Sequence, residues 1–174
     1  MIKINQITKE DTNIIYNLNQ TIFKDEVIYN KNFIENYCIN KLGFLAKMDN
    51  IPCGYILYGN SYTHELNASV CTIISIGILN KYRRKGIGSK LLKSALQILS
   101  NYDVYLHVRV TNKSVQQFYV KEGFVIISRV PKYYNLIKDG IEDAFLMKKK
   151  SLKLALKELL KKKKDGRIGK KILL

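Results

Sequence analysis

Arg83-Arg84-Lys85-Gly86-Ile87-Gly88 sits between a β-branched run and a leucine-striped run. Two glycines at a strand-to-helix junction let backbone N–H groups approach a ligand closely. The helix that follows points its positive end at the same place. With three cations added, the segment reads as a cradle for a pyrophosphate. It is neither a dinucleotide fingerprint, which needs a third glycine, nor a Walker loop, which needs Gly-Lys-Ser/Thr. Read alone, it also fits a helix-entry turn with solvated charges. Further on, Asn112 and Tyr119 stand seven residues apart, so both lie on one face of a helix. His107 lies in a short apolar run, where its imidazole suits general base chemistry near neutral pH or a satisfied core position.

The elements that would position these groups follow from periodicity. Residues 2–7 alternate as a strand, and Thr8 to Asp11 form a capping-box pattern before Ile14, Ile15, Leu18 and Ile22 at helical spacing. A loop from Phe23 to about Lys31 and a helix over 32–40 come next. Strands are expected over 44–48, 54–58 and 69–79, with a polar turn-like segment over 59–67. Leu91, Leu92, Ala95, Leu96 and Leu99 give a helical stripe after Gly88. A strand over 104–108, a helix over 112–122 closed by Gly123, and strands over 124–130 and 144–147 complete the body. The order β-α-α-β-β-β-α-β-α-β-β implies an α/β (α+β) fold. Its sheet would have six to seven mostly antiparallel strands, with about four helices. The strand–helix–strand unit from Ile73 to Val108 allows two parallel neighbours, and a ligand can lie where they splay.

At 174 residues and 47% hydrophobic, one folded domain over 1–148 is expected. The three cysteines, Cys38, Cys53 and Cys71, have no disulfide or zinc spacing, so no metal is expected. No apolar run suggests a signal peptide or a membrane span, and a cytoplasmic protein is the default reading. The formal charge of +16 is uneven. From Lys148 onward there are 12 Lys or Arg against 2 acidic residues, leaving 18 against 12 in the body. Residues 149–174 therefore read as a basic, partly helical tail. It suits either a solvated helix packed by its leucines or a polyanionic surface such as ribosomal RNA.

The paired motifs resemble the GCN5-related N-acetyltransferase superfamily, whose coenzyme loop is matched by Arg83, Gly86 and Gly88. The resemblance covers roughly residues 2–148. It implies the GNAT fold, with a V-shaped splay between two central parallel strands and acetyl-CoA as co-substrate. It implies coenzyme contacts from Ile76, Gly77, Ile78 and Leu79, from Arg83 through Ser89 (Arg84, Lys85, Gly86, Ile87 and Gly88 included), and from Asn112, Ser114 and Tyr119. Tyr119 would protonate the departing thiolate, and a backbone N–H near Gly77-Ile78 would face the developing oxyanion.

Within the superfamily the nearest resemblance is to protein N-terminal acetyltransferases of the NatE type. It is carried by Leu18 to Phe23, Tyr82 to Gly88, Tyr105 to Val108 and Pro131 to Tyr134, while Glu142 to Phe145 is nearer the NatA type. It implies acetylation of peptide or nascent-chain α-amines, with Met first and an apolar residue second. His107 would be the base, through a water. Phe23, Glu26, Val27 and Tyr29 would form one wall of the substrate groove and Tyr133, Tyr134 and Ile137 the other. Auxiliary subunits and the ribosome are implied as partners. One departure stands out: Thr72 occupies the position where NatE-like enzymes carry a tyrosine that helps hold the catalytic water. A threonine hydroxyl binds water but does not titrate usefully. Either His107 acts alone, or Tyr105 or another tyrosine replaces the phenol. A lysine, polyamine or small-amine acetyltransferase, or a weakly active coenzyme- or ribosome-binding subunit, are the alternatives.

Overall fold

The structure is a computed structural model that describes residues 1–24, 29–136 and 140–164. The chain runs β1 (Ile2–Gln6), α1 (Thr12–Ile22), α2 (Lys31–Ile39), β2 (Gly43–Met48), β3 (Ile51–Thr63) and β4 (Ala68–Ile78). It continues with α3 (Ile87–Ile98), β5 (Val104–Arg109), α4 (Lys113–Lys121), β6 (Val125–Leu136), β7 (Gly140–Lys149) and α5 (Leu152–Lys164). The strands form one seven-stranded sheet in the order β1-β2-β3-β4-β5-β7-β6. All neighbours are antiparallel except β4 and β5.

Local chemistry explains the helix starts. The Asp11 carboxylate accepts from the Thr8 N–H at 3.0 Å and from its hydroxyl, closing a 3-10 turn over Lys9–Asp11 that feeds α1. Asn30 caps α2 by accepting the Phe33 N–H at 2.8 Å.

Side chains from both faces of the sheet are buried, which is why β3 is closed to solvent from Cys53 to Gly59. On one face Leu91, Leu92 and Ala95 of α3 and Tyr119 of α4 pack with Ile56, Tyr58, Leu106 and Val108. On the other, Ile15, Leu18, Ile34 and Cys38 of α1 and α2 pack with Leu45, Tyr55 and Leu57. Each fully buried aliphatic side chain of this kind contributes on the order of 1.5–3 kcal/mol.

Three strands, β3, β6 and β7, run well past the spans that periodicity suggested. β3 runs to Thr63, so most of the expected turn-like segment is an antiparallel arm whose tip is a 3-10 turn over His64–Leu66. Likewise β6 runs through the Pro131 to Tyr134 stretch, beyond the expected end at Val130. A register irregularity between Val130 and Tyr134 absorbs the proline, and Lys132 takes a left-handed φ of 54°.

The basic tail also departs from one of its two readings. Ser151 anchors α5 to the body: its N–H donates to Asp103 at 2.8 Å, and its hydroxyl donates to the Ser100 carbonyl at 2.7 Å. Leu154, Leu156, Leu159 and Leu160 of α5 are nevertheless exposed, not packed on the domain. Among the described residues no helix is long and apolar enough to cross a membrane.

Candidate active site

β4 and β5 pair only at Cys71 with Val104 and at Thr72 with Tyr105. Beyond that point residues 73 and 75–78 stay paired with β3 alone, and residues 106–109 with β7 alone. The two central strands therefore part in a V, and backbone polar groups along its inner edges are left for a ligand. A bulge between Leu57 and Tyr58 leaves Ile74 out of the ladder, and the Ile74 carbonyl accepts the Tyr29 hydroxyl at 3.3 Å.

The glycine loop closes one end of this edge. A 3-10 turn over Asn80–Tyr82 ends β4, and Gly86 caps α3 in the left-handed region with φ 76°. Arg84 shares that region at φ 62°, so this short loop holds a left-handed residue that is not a glycine. A Cβ on Gly86 would stand in open space, so the glycine is needed for its dihedral, not to fit a neighbour of this chain. The first N–H groups of α3, from Ile87, Gly88 and Ser89, have no acceptor within the helix. Arg84 and Lys85 are exposed beside them, whereas Arg83 turns back to donate from Nε to the Ile78 carbonyl at 3.1 Å. This loop fits an anion: free donors, a helix N-terminus and two exposed cations converge there. A cleft of about 410 Å³ lined by Thr21, Ile22, Leu79, Asn80 and Lys81 opens next to it. Gly77 has a packing reason as well, because a Cβ there would lie 3.0–3.2 Å from Phe23 and Ile22.

Asn112 and Tyr119 enter from α4. The Asn112 side chain caps that helix, accepting from the Val115 N–H and the Ser114 hydroxyl at 3.2 Å each. Gln116 donates to the carbonyls of Arg109 and Val110 at 2.8 and 3.0 Å, which fixes α4 to the end of β5. Tyr119 is buried, and that burial pushes its phenol far above the ordinary tyrosine range. It therefore stays a proton donor at any physiological pH.

The opposite face of the V holds the aromatic cluster. His107 stacks on Tyr133, with ring centroids 4.0 Å apart and planes within 13°. Tyr134 lies under the Arg109 guanidinium at 4.2 Å. Tyr29 stacks on Phe33 at 4.4 Å, and its N–H donates to the Asn19 side chain at 3.1 Å. Asn19 in turn donates to the Tyr55 hydroxyl, which is 2.9 Å from Ser75 Oγ. Burial pushes the Tyr29 phenol up to about 12, with Tyr55 and Tyr133 adding to it, and pushes Tyr134 higher still. These phenols donate and accept hydrogen bonds but do not ionise near neutrality. Burial also holds the His107 imidazole below its ordinary 6.5, with Glu65 pulling the other way. The ring is thus neutral at pH 7, with a lone pair available as a base.

Two carboxylates fix this arrangement from β7. Glu142 accepts from the Thr111 N–H at 3.0 Å, the Thr111 hydroxyl at 2.6 Å and Arg109 at 3.0 Å. Asp143 accepts from the Lys132 N–H at 2.8 Å and from Arg129 Nε at 2.7 Å, holding the irregular segment that presents Tyr133.

The structure thus gathers Phe23, Tyr29, His107, Tyr133 and Tyr134 around one face of the V, and Gly86 to Ser89 around its other side. Thr72 lies at its closed end, buried, where its hydroxyl accepts from Ser61 at 2.8 Å. Tyr105 pairs with Thr72 at this closed end, its ring 5.2 Å from the Lys148 ammonium. Glu26, Val27 and Ile137 lie outside the described residues. Sequence reasoning missed Asn19, Tyr55, Glu65 and Arg109. Only Asn19, a lone amide in an apolar stripe, left a local signal.

The match to the Acetyltransferase (GNAT) family model covers residues 12–124. N-alpha-acetyltransferase 50 of Danio rerio is 33% identical over 153 residues, 85% of this chain and 88% of that protein. An N-alpha-acetyltransferase of Sulfurisphaera tokodaii is 36% identical over 114 residues, 60% of this chain and 66% of its own length. Among solved structures, Arabidopsis thaliana Naa50 in complex with the bisubstrate analogue CoA-Ac-MVNAL superposes with a TM-score of 0.72 at 27% identity. It covers 86% of this chain and 98% of that one. With the splayed strands and the glycine loop in place, the chain belongs to the Acetyltransferase (GNAT) family and is an acetyl-CoA-dependent acetyltransferase.

Proposed function

We propose that the enzyme acetylates the α-amine of protein N-termini, favouring Met followed by an apolar residue. The observation that carries this reading is the aromatic wall of Tyr29, Tyr133 and Tyr134 beside His107. Phenols of this kind hydrogen-bond a peptide backbone while their rings pack an apolar side chain. An α-amine has a pKa near 8, close enough to neutrality for an imidazole to take its proton, directly or through water. A lysine ε-amine, near 10.4, is a poorer match.

The residues divide the work by position. Main-chain N–H groups of Gly86 to Ser89, with Arg84 and Lys85, hold the pyrophosphate of acetyl-CoA, and Ile76 to Leu79 offer backbone edges to its arm. Asn112 and Ser114 close on it from α4. The co-substrate supplies an acetyl thioester. His107 removes the proton from the amine, Gly77-Ile78 N–H groups face the developing oxyanion, and Tyr119 donates a proton to the leaving sulfur. Phe23 and Tyr29 with Tyr133 and Tyr134 hold the first residues of the peptide, with Glu26, Val27 and Ile137 assigned to the same groove. The lysines and exposed leucines of α5 are assigned to contact with the ribosome, in a cytoplasmic enzyme that joins auxiliary subunits.

The test is a panel with acetyl-CoA: peptides beginning Met-Val, Met-Leu, Met-Lys, Ser and Ala, an N-terminally blocked lysine peptide, and spermidine. Met-apolar peptides should turn over fastest. Preference for spermidine or the blocked lysine peptide, or no transfer to any N-terminus, overturns the reading.

A further inference from the structure

Thr72 leaves the site without the phenol expected on its central strand, and the long β3–β4 arm brings another group to the imidazole. The arm ends at Thr63 opposite Ala68, and its tip is a 3-10 turn closed by Asn67 at φ 46°. The Tyr62 hydroxyl donates to Asn67, and the Tyr62 ring meets His64 edge-on at 5.0 Å, so the tip is braced. β4 starts four residues before its contact with Tyr105, whereas His107 lies beyond that contact. The arm must therefore curl back over this face, and doing so places Glu65 Oε2 3.9 Å from His107 Nε2. The two side chains are 23% and 10% exposed. Nε2 is buried, and among the described residues it has no hydrogen-bond partner.

We propose that Glu65 is a positioning residue for His107: it holds the proton on Nε2, which leaves Nδ1 as the acceptor, and it stabilises the imidazolium formed when the amine is deprotonated. The inference rests on the proposed transfer to an α-amine. In the step it assists, an N–H bond of the substrate ammonium breaks and an Nδ1–H bond forms. The lone pair stays on the amine for attack, and Glu65 remains a carboxylate throughout.

The surroundings leave Glu65 as the charge that matters. From β6, Tyr133 covers the ring, and its phenol is pushed up first by burial and then by Glu65. From β5 the nearest cation is Arg109, which is engaged by Glu142 of β7 at 3.0 Å. Across the β7 pairing stands Leu146, which is apolar. Tyr134 and Tyr29 are neutral phenols, and β4 carries no charged side chain. A carboxylate against a buried imidazole favours its charged form and selects the tautomer that points N–H at it.

The chain has only two histidines, His64 and His107. Long-range ¹H–¹⁵N spectra of the full chain therefore give two imidazole patterns, and a His64→Gln variant assigns them. Neutral His107 should carry its proton on Nε2. Glu65→Gln keeps the shape and removes the charge, so the His107 midpoint should fall by about 0.5–1 in pH. Glu65→Lys should lower it further. With a Met-apolar peptide, kcat should fall about tenfold in Glu65→Gln while KM for acetyl-CoA holds. The acid limb of kcat/KM should move down with the spectral midpoint. An unchanged midpoint in both variants, or a neutral tautomer protonated at Nδ1, overturns the proposal. The spectra need no substrate. A wild-type enzyme inactive on every N-terminus therefore defeats the proposed function while the Glu65–His107 pair is still judged by its own titration.

Discussion

Replacing Gly86 by alanine separates a loop that merely turns from a loop that binds through its backbone. Gly86 has φ 76°, and its missing Cβ would touch nothing of the chain within 4 Å. The fold therefore loses only the cost of a left-handed alanine, about 1–2 kcal/mol. For a chain of this length each kcal/mol moves Tm by about 2–4 °C, so Gly86→Ala should melt roughly 2–8 °C lower. Gly88→Ala is the control. It lies inside α3, where a Cβ would meet Phe118 at an ordinary 3.5 Å. Alanine there should be neutral or stabilising by about 0.5 kcal/mol. Coenzyme binding should split the two further. At about 100 times Kd, acetyl-CoA stabilises by roughly 2.7 kcal/mol, or about 5–11 °C in Tm. If Gly86→Ala realigns the first N–H groups of α3 and weakens binding tenfold, about 1.4 kcal/mol of that is lost, some 3–5 °C of the shift. Differential scanning fluorimetry with and without acetyl-CoA reads both effects. Should Gly86→Ala melt lower yet keep the full coenzyme shift, the loop does not bind through its backbone and the reasoning fails.

His107 sets two pH effects. Because burial holds its folded pKa below 6.5, the base form persists in mildly acid solution, so kcat/KM should hold to below pH 6.5 before it drops. The same shift contributes stability that is fully present above 6.5 and is lost as pH falls through the lower folded value. Urea denaturation between pH 7.5 and 5 should show that slope and lose it in His107→Gln. Asn19→Ala strips partners from the buried Tyr55 hydroxyl and the Tyr29 N–H. It should cost about 1–3 kcal/mol, and an unshifted Tm would show that the network is dispensable. Asp143→Ala frees the Lys132 turn and Arg129, both held by that carboxylate below its usual range. KM for a peptide should rise severalfold with KM for acetyl-CoA unchanged, as measured by initial rates.

Much of the fold was legible because it is local. The 3.6-residue stripe of α3, the capping pattern before α1 and the β-branched run of β4 each fix a conformation within a few residues. The Arg83 to Gly88 segment is legible for the same reason: left-handed turns and helix N-termini are set by neighbouring residues. The extents of β3 and β6 were not, because polar residues such as Asn60 and Ser61 join a strand only when a partner strand satisfies their backbone. Tyr133 and Tyr134 lie past the expected end of that strand, and they join it because β7 supplies the partner and Asp143 the anchor.

The sequence by itself marked out a candidate anion loop, the α4 pair of Asn112 and Tyr119 on one helical face and the candidate base His107, since residue type and spacing along one element are enough to single out each. Only the tertiary structure decided what surrounds the base. Glu65 is 42 positions before His107 in the chain, and no periodicity links the two. A register shift, a long arm and a splay between two parallel strands bring them to 3.9 Å. Electrostatic coupling depends on distance and burial through space, and sequence separation carries no information about either.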